Sequence, residues 1–315
     1  MSILVVGSIA FDSVETPSGK RTEMLGGAAS YLSLAACHWA TPRMVGVVGN
    51  DFPNEHLAMF HRHGIDTAGI VINPNGRTFR WDGKYDGDLS NAETLETQLG
   101  VFKTFDGTIP EDWRKTPYVV LGNIQPSIQR KVLEQLDPPK WVALDTMNYW
   151  INSAREELIH TLELVDMLCI NETEARLLSK ETDLARAAEV IFGMGPQVLV
   201  IKQAADGACM YLHDGIIQVP AYRVPLVRDP TGAGDSFAGA MMGYLASCDN
   251  LAEPAWRGAL LRGSVVASFT VEQFGVEGLR MANTHSIEKR LAQLEGGLEH
   301  LSAKPPAHAM SHRAI

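Results

Sequence analysis

The chain repeats one pattern: a short, continuous apolar run, then a longer segment with helical spacing. ILVVGSI (3–9) precedes a small-residue helical stretch near residues 28–40, and MVGVVG (44–49) precedes another near 54–63. YVVLGNI (118–124), WVALD (141–145), MLCIN (167–171) and QVLVIK (197–202) keep the same character. None of these runs alternates apolar with polar residues, as expected of strands buried on both faces. Such strands, joined by helices, form a parallel sheet with helices on each side, so the fold class is α/β. Further helices are expected near 127–136, 154–164, 172–179 and 184–194, with Gly195-Pro196 as a stop.

Two stretches break the rhythm. Residues 12–25 and about 70–105 are polar and turn-rich, the second interleaved with Phe79, Trp81 and Tyr85. Both are expected to leave the main sheet and cover one end of it as lid inserts. A length of 315 residues fits one large domain or two small ones. The continuity of the pattern favours one domain over 1–300, with a poorly ordered tail over 301–315.

The balance of 27 basic and 37 acidic residues gives a formal charge of −10, which argues against a general nucleic-acid or membrane surface. No segment approaches the roughly 20 apolar residues of a membrane span. The opening MSILVVGSIAF lacks a basic region and is cut off by Asp12, so it reads as a buried strand rather than a signal peptide. Cys37, Cys169, Cys209 and Cys248 form no C-x-x-C pair, which points to a reducing compartment, with cytoplasm as the default. His61 and His63, like His308 and His312, lack the neighbours of a metal site.

Chemistry concentrates in RDPTGAGDSFAGA (228–240). The glycines of Thr231-Gly232-Ala233-Gly234 permit a tight turn whose amides stay free for a ligand, and the helix that follows adds the positive end of its dipole. That combination suits phosphate oxygens. Asp235 stands at the mouth of the turn, either as a helix N-cap or as a base that takes the proton of an attacking alcohol. Neither a G-x-x-x-x-G-K-[ST] loop nor a G-x-G-x-x-G turn after the first strand is present, so P-loop and Rossmann readings lose support.

DPTGAGDSFAGA closely resembles the D-T-G-A-G-D signature of the ribokinase-like sugar kinases, the PfkB family, with Pro230 where many members run from Asp directly to Thr. VVGSIAFD (5–12), LGGAAS (25–30), VGVVGND (45–51), HGID (63–66) and NETEA (171–175) resemble other family blocks in the same order. The resemblance implies a ribokinase-like three-layer αβα sandwich with a mostly parallel central sheet and a small β lid. It implies an ATP-dependent kinase that phosphorylates a hydroxyl of a sugar or related polyol. Asp235 becomes the catalytic base, and the amides of Gly232, Ala233 and Gly234 become the anion hole. Asp12, Gly26, Gly27 and Tyr31 fall at substrate-binding positions, with the two glycines as a lid hinge. Asn171, Glu174 and Lys202 fall on the nucleotide and magnesium (Mg2+) side, and Asp229 and Thr231 match a monovalent-cation (K+) site. Asp145-Thr146-Met147-Asn148 with Trp150 resembles the family's Asp-x-Asn segment.

Plainer readings stand beside these. Asn171-x-x-Glu174 is also a capping box, Asp12 a strand-end turn residue, Lys202 a strand-end lysine, and Met241 and Met242 core residues. The family commonly continues Gly-Gly-x-x-x-Asn, whereas position six here is Tyr31, so ribose recognition is altered and an inositol-like acceptor is suggested. A nucleoside kinase of the same family is the rival, and a metabolite-binding homologue without catalysis is the third reading. The lid aromatics serve either to stack on a ligand or to pair two subunits as a homodimer.

Overall fold

A computed structural model describes residues 1–87, 89 and 92–302. The side chains of residues 298–302 and the remainder of the tail, with His308 and His312, lie outside the described residues. In chain order, β1 (Ser2–Val6), β2 (Ala10–Thr16) and β3 (Gly19–Gly26) lead into α1 (Ala28–Ala36). They are followed by β4 (Thr41–Gly49), α2 (Asn54–Arg62), β5 (Asp66–Asn73), β6 (Phe79–Tyr85) and β7 (Ala92–Gln98). The middle of the chain forms β8 (Tyr118–Leu121), α3 (Pro126–Glu134), β9 (Trp141–Leu144), α4 (Asn148–Ser153), α5 (Arg155–Leu162), β10 (Met167–Asn171), α6 (Glu172–Ser179) and α7 (Leu184–Phe192). The last third holds β11 (Val198–Lys202), β12 (Ala208–Leu212), β13 (Gly215–Val219), α8 (Ala233–Cys248), α9 (Glu253–Val271), α10 (Glu277–Met281) and α11 (Thr284–Ser302).

A nine-stranded sheet runs in the order β13-β12-β11-β10-β9-β8-β1-β4-β5. Every pairing from β11 across to β5 is parallel, and the β12–β13 hairpin closes one edge antiparallel. The continuous apolar runs now have their reason: Ile3 and Val5 of β1 enter the core on one face, Leu4 and Val6 on the other. Val200 of β11 is likewise separated from Leu199 and Ile201. The first face is covered by α1, α8 and α9, the second by helices that include α3, α5, α6 and α7. Every residue of α1 is buried. It lies so close to α8 that the backbones meet at Gly239 against Leu32 and Gly243 against Ala36.

Four strands form a separate small sheet, in the order β3-β2-β6-β7. It is mixed, with β2 and β6 parallel and the outer pairs antiparallel. Its extent corrects the expected inserts over 12–25 and 70–105: β2 begins at Ala10, residues 70–73 finish β5 of the large sheet, and Gly100–Thr104 form a 3-10 turn that buries Val101. The small sheet is tied to the large one through Arg80. Its guanidinium pairs with Asp51 at 2.8 Å and Glu23 at 3.1 Å, and it stands over the Phe11 ring at 5.2 Å. Among the described residues, no helix is long and apolar enough to cross a membrane.

Candidate active site

Open parallel sheets bind ligands beyond the carboxyl ends of their strands. Here β9 leads into Asp145, β10 ends in Asn171 and β11 ends in Lys202, and the turn 229–235 that starts α8 reaches the same edge. Gly232 caps α8 with φ +74°, a left-handed conformation that glycine adopts without strain. Its open face lies on the ring of Tyr31, which a side chain at 232 would strike. The Ala233 amide donates to the Pro230 carbonyl at 3.2 Å, and the Ser236 amide donates to the Gly232 carbonyl at 2.8 Å. Among the described residues, the amides of Gly232, Gly234 and Asp235 have no partner. The free set at the turn is therefore 232, 234 and 235 rather than the expected 232, 233 and 234. Unpaired amides at the start of a 16-residue helix are suited to an anion.

Asp235 is partly buried at the mouth of this turn, with no hydrogen bond among the described residues. Burial, reinforced by Asp145 and Glu174 and opposed by Lys202, raises its pKa to about 7. Lys202 pairs with Asp145 at 3.1 Å. Burial alone would lower the lysine's pKa, but Asp145 and the other surrounding acids hold it above its ordinary value. Asn171 and Glu174 form a complete capping box: the Glu174 amide donates to Asn171 Oδ1 at 2.9 Å, and the Asn171 amide donates to Glu174 Oε2 at 2.8 Å. Burial also lifts Glu174 to about 7. Its second oxygen, Oε1, has no partner among the described residues, which suits a carboxylate that holds a magnesium ion through water.

The opposite side of the cleft belongs to the small sheet. Asp12 lies within β2 rather than at the end of β1, and is 4% exposed. Its carboxyl fills the space that a side chain at Gly26 would need, so glycine is required there. Burial, opposed by the Gly27 amide and reinforced by Asp229, Asp235 and Asp82, pushes Asp12 up to about 7. Tyr31 is buried, and its hydroxyl finds no partner among the described residues. What it presents to the site in this structure is the ring beneath Gly232. Asp229 accepts the Thr231 amide on Oδ1 at 2.9 Å and the Gly275 amide on Oδ2 at 3.0 Å, so its observed work is to clamp the turn to the loop after α9. Thr231 donates its hydroxyl to Tyr85 at 3.3 Å, a link from the turn to the small sheet that the spacing of the motifs did not reveal.

An anion turn, an acid with a pKa near neutrality at its mouth and a second buried acid across the cleft are the parts of phosphoryl transfer to an alcohol. Relatives agree. A cytidine kinase of Thermococcus kodakarensis is 31% identical over 254 residues, 78% of this chain and 88% of that protein. An inositol 3-kinase of Arabidopsis thaliana is 25% identical over 87% of this chain and 74% of its own length. The crystal structure of a putative ribokinase II from E. coli in complex with ATP and Mg2+ superposes with a TM-score of 0.75, covering 93% of this chain and 99% of that one at 19% identity. A family model described as "pfkB family carbohydrate kinase" matches residues 121–280, half of the chain, including the 229–235 turn and the Asn171–Glu174 box. This chain, with its nine-stranded sheet and its TGAGD turn, belongs to the pfkB family of carbohydrate kinases.

Proposed function

We propose that the protein transfers the γ-phosphoryl group of ATP to a hydroxyl of an uncharged sugar or related polyol. The observation that carries this reading is the pairing of three amides, at Gly232, Gly234 and Asp235, with the Asp235 carboxylate, all without a hydrogen-bond partner among the described residues. The amides hold phosphate oxygens as charge develops on them, and Asp235 accepts the proton of the attacking hydroxyl. Magnesium, when bound, neutralises phosphate charge, with Asn171 and Glu174 arranging its water. Asp12 orients the acceptor hydroxyls, and closure of the small sheet over the cleft excludes water.

The acceptor side is acidic: Asp12 is surrounded by Asp229, Asp235 and Asp82. Such a field repels a phosphorylated sugar and accepts a neutral molecule rich in hydroxyl donors. A nucleoside meets the same requirement, and the match to a cytidine kinase favours that second reading. A coupled ADP-release screen over free sugars, cyclitols and nucleosides, with Asp235→Ala as control, tests the proposal. Turnover with one neutral class, lost in the variant, supports it. Turnover only with sugar phosphates, or full activity in the variant, overturns it.

A further inference from the structure

The ammonium of Lys202 occupies a place that a structural lysine has little reason to take. Lys202 ends β11 beside Asn171 of β10, so its backbone stands at the ligand edge of the sheet. Its side chain runs along Gly234. A Cβ on that glycine would stand 2.9 Å from Nζ, 3.6 Å from Cε and 3.7 Å from Cδ. The cation therefore lies at the N-terminal end of α8, where the helix dipole is positive and a cation is disfavoured. Asp145 compensates for this: its Oδ2 holds Nζ at 3.1 Å while its Oδ1 accepts the Thr146 amide at 2.8 Å. Both partners are largely shielded from water, with side chains 16% and 8% exposed.

A lysine ammonium has three donors, and Asp145 takes one. The others lie beside the turn whose amides at Gly232, Gly234 and Asp235 are unpaired. We infer that Lys202 is a phosphate ligand of the transfer step, held on Asp145 while the turn is empty and sharing the transferring phosphoryl group with the amides once nucleotide is bound. It is then a catalytic residue that offsets charge on the phosphate oxygens as the acceptor attacks. Its position on Asp145 keeps the ammonium at the turn and prevents the buried carboxylate from standing unpaired. The inference rests on the reading of this cleft as a phosphoryl-transfer centre.

A plainer role, neutralising Asp145, is separable by experiment. Lys202→Met alone leaves a buried carboxylate without its cation and is expected to lower the melting temperature. Lys202→Met with Asp145→Asn removes both charges and is expected to recover that stability. If Lys202 grips phosphate, the double variant stays at least about 100-fold below Asp145→Asn alone in kcat/KM for ATP, on the scale of one lost transition-state donor. Acceptor KM changes little, and Lys202→Arg restores part of the rate. A double variant within about threefold of Asp145→Asn alone overturns the inference. Thermal shifts with ATP, ADP and adenosine separate this outcome from failure of the transferase reading. Wild type stabilised by ATP but turning over no acceptor breaks that reading alone. Equal stabilisation of wild type and double variant by ATP and ADP breaks the role of Lys202 alone.

Discussion

Lys202, Asp145 and Asn171 stand at the ends of strands in a nine-stranded sheet, whereas Asp12 and Tyr85 stand on strands of a four-stranded one. The first group rests on β9, β10 and β11, whose strand residues are buried except at the very ends. The second rests on a sheet whose outer strand, β7, is exposed at all seven positions. Among the described residues, the side-chain links between the small sheet and the rest of the molecule include Arg80 with Asp51, Tyr85 with Thr231 and Thr16 with the Arg228 carbonyl. A phosphate site needs fixed dipoles, because donors that must reorganise lose their advantage in the transition state. Under the proposed function the acceptor site must open and close, a task suited to the thinner and more exposed sheet. The division predicts that damage on the large sheet lowers rate, and that damage on the small sheet lowers acceptor affinity.

Asp235→Asn tests the division most severely. It is expected to lower kcat by about 100- to 10,000-fold while ATP still raises the melting temperature, as read by ADP release and thermal shift. Gly232→Ala comes next, since a left-handed φ and the Tyr31 ring both oppose a side chain there. Strain of about 1–3 kcal/mol is expected in urea unfolding, together with a fall in kcat/KM for ATP and a smaller change for the acceptor. Asp12→Asn should act in the opposite sense. Acceptor KM rises about tenfold, the scale of one hydrogen bond to a charged group, and KM for ATP holds. Equal effects on both substrates would erase the contrast between the two sheets.

The smallest expected effect is on stability against pH. Asp235 is raised from 3.8 to about 7, so the folded state holds this proton more tightly than the unfolded chain. That contribution is complete below the unfolded value and is lost as pH rises through the folded one. Asp235→Asn carries no such loss. Its melting temperature, relative to wild type without ligand, is therefore higher at about pH 8.5 than at about pH 5. A constant difference across that range would show that the carboxyl is well solvated. The same shift places the acidic limb of kcat/KM near neutrality, because the base must ionise to work.

Much of this arrangement was legible in the sequence, for identifiable reasons. Strands such as Met167–Asn171 and Val198–Lys202 are buried on both faces, so each stands out as an unbroken apolar run. The TGAGD turn is local, and glycine at 232 and acid at 235 suffice to suggest its chemistry. The small sheet was only outlined, because β7, AETLETQ, is wholly exposed and burial leaves no periodic mark on it. The Lys202–Asp145 pair spans 57 residues and exists because β9 and β11 flank β10. Tyr31 beneath Gly232 depends on the close approach of α1 and α8, which no local pattern encodes.

That last contact ties together two properties that kinases must change separately when they acquire new acceptors. Tyr31 was expected at a substrate-binding position, yet its ring lies directly beneath Gly232 of the turn. Trimming it to enlarge the acceptor pocket opens a void beneath Gly232 and loosens the amides at the same stroke, with losses of the order seen when buried aromatic side chains are removed, about 3–5 kcal/mol. Specificity in this chain is therefore expected to drift through small-sheet residues such as Trp81, which is free of that obligation, while position 31 stays frozen even as its neighbours change.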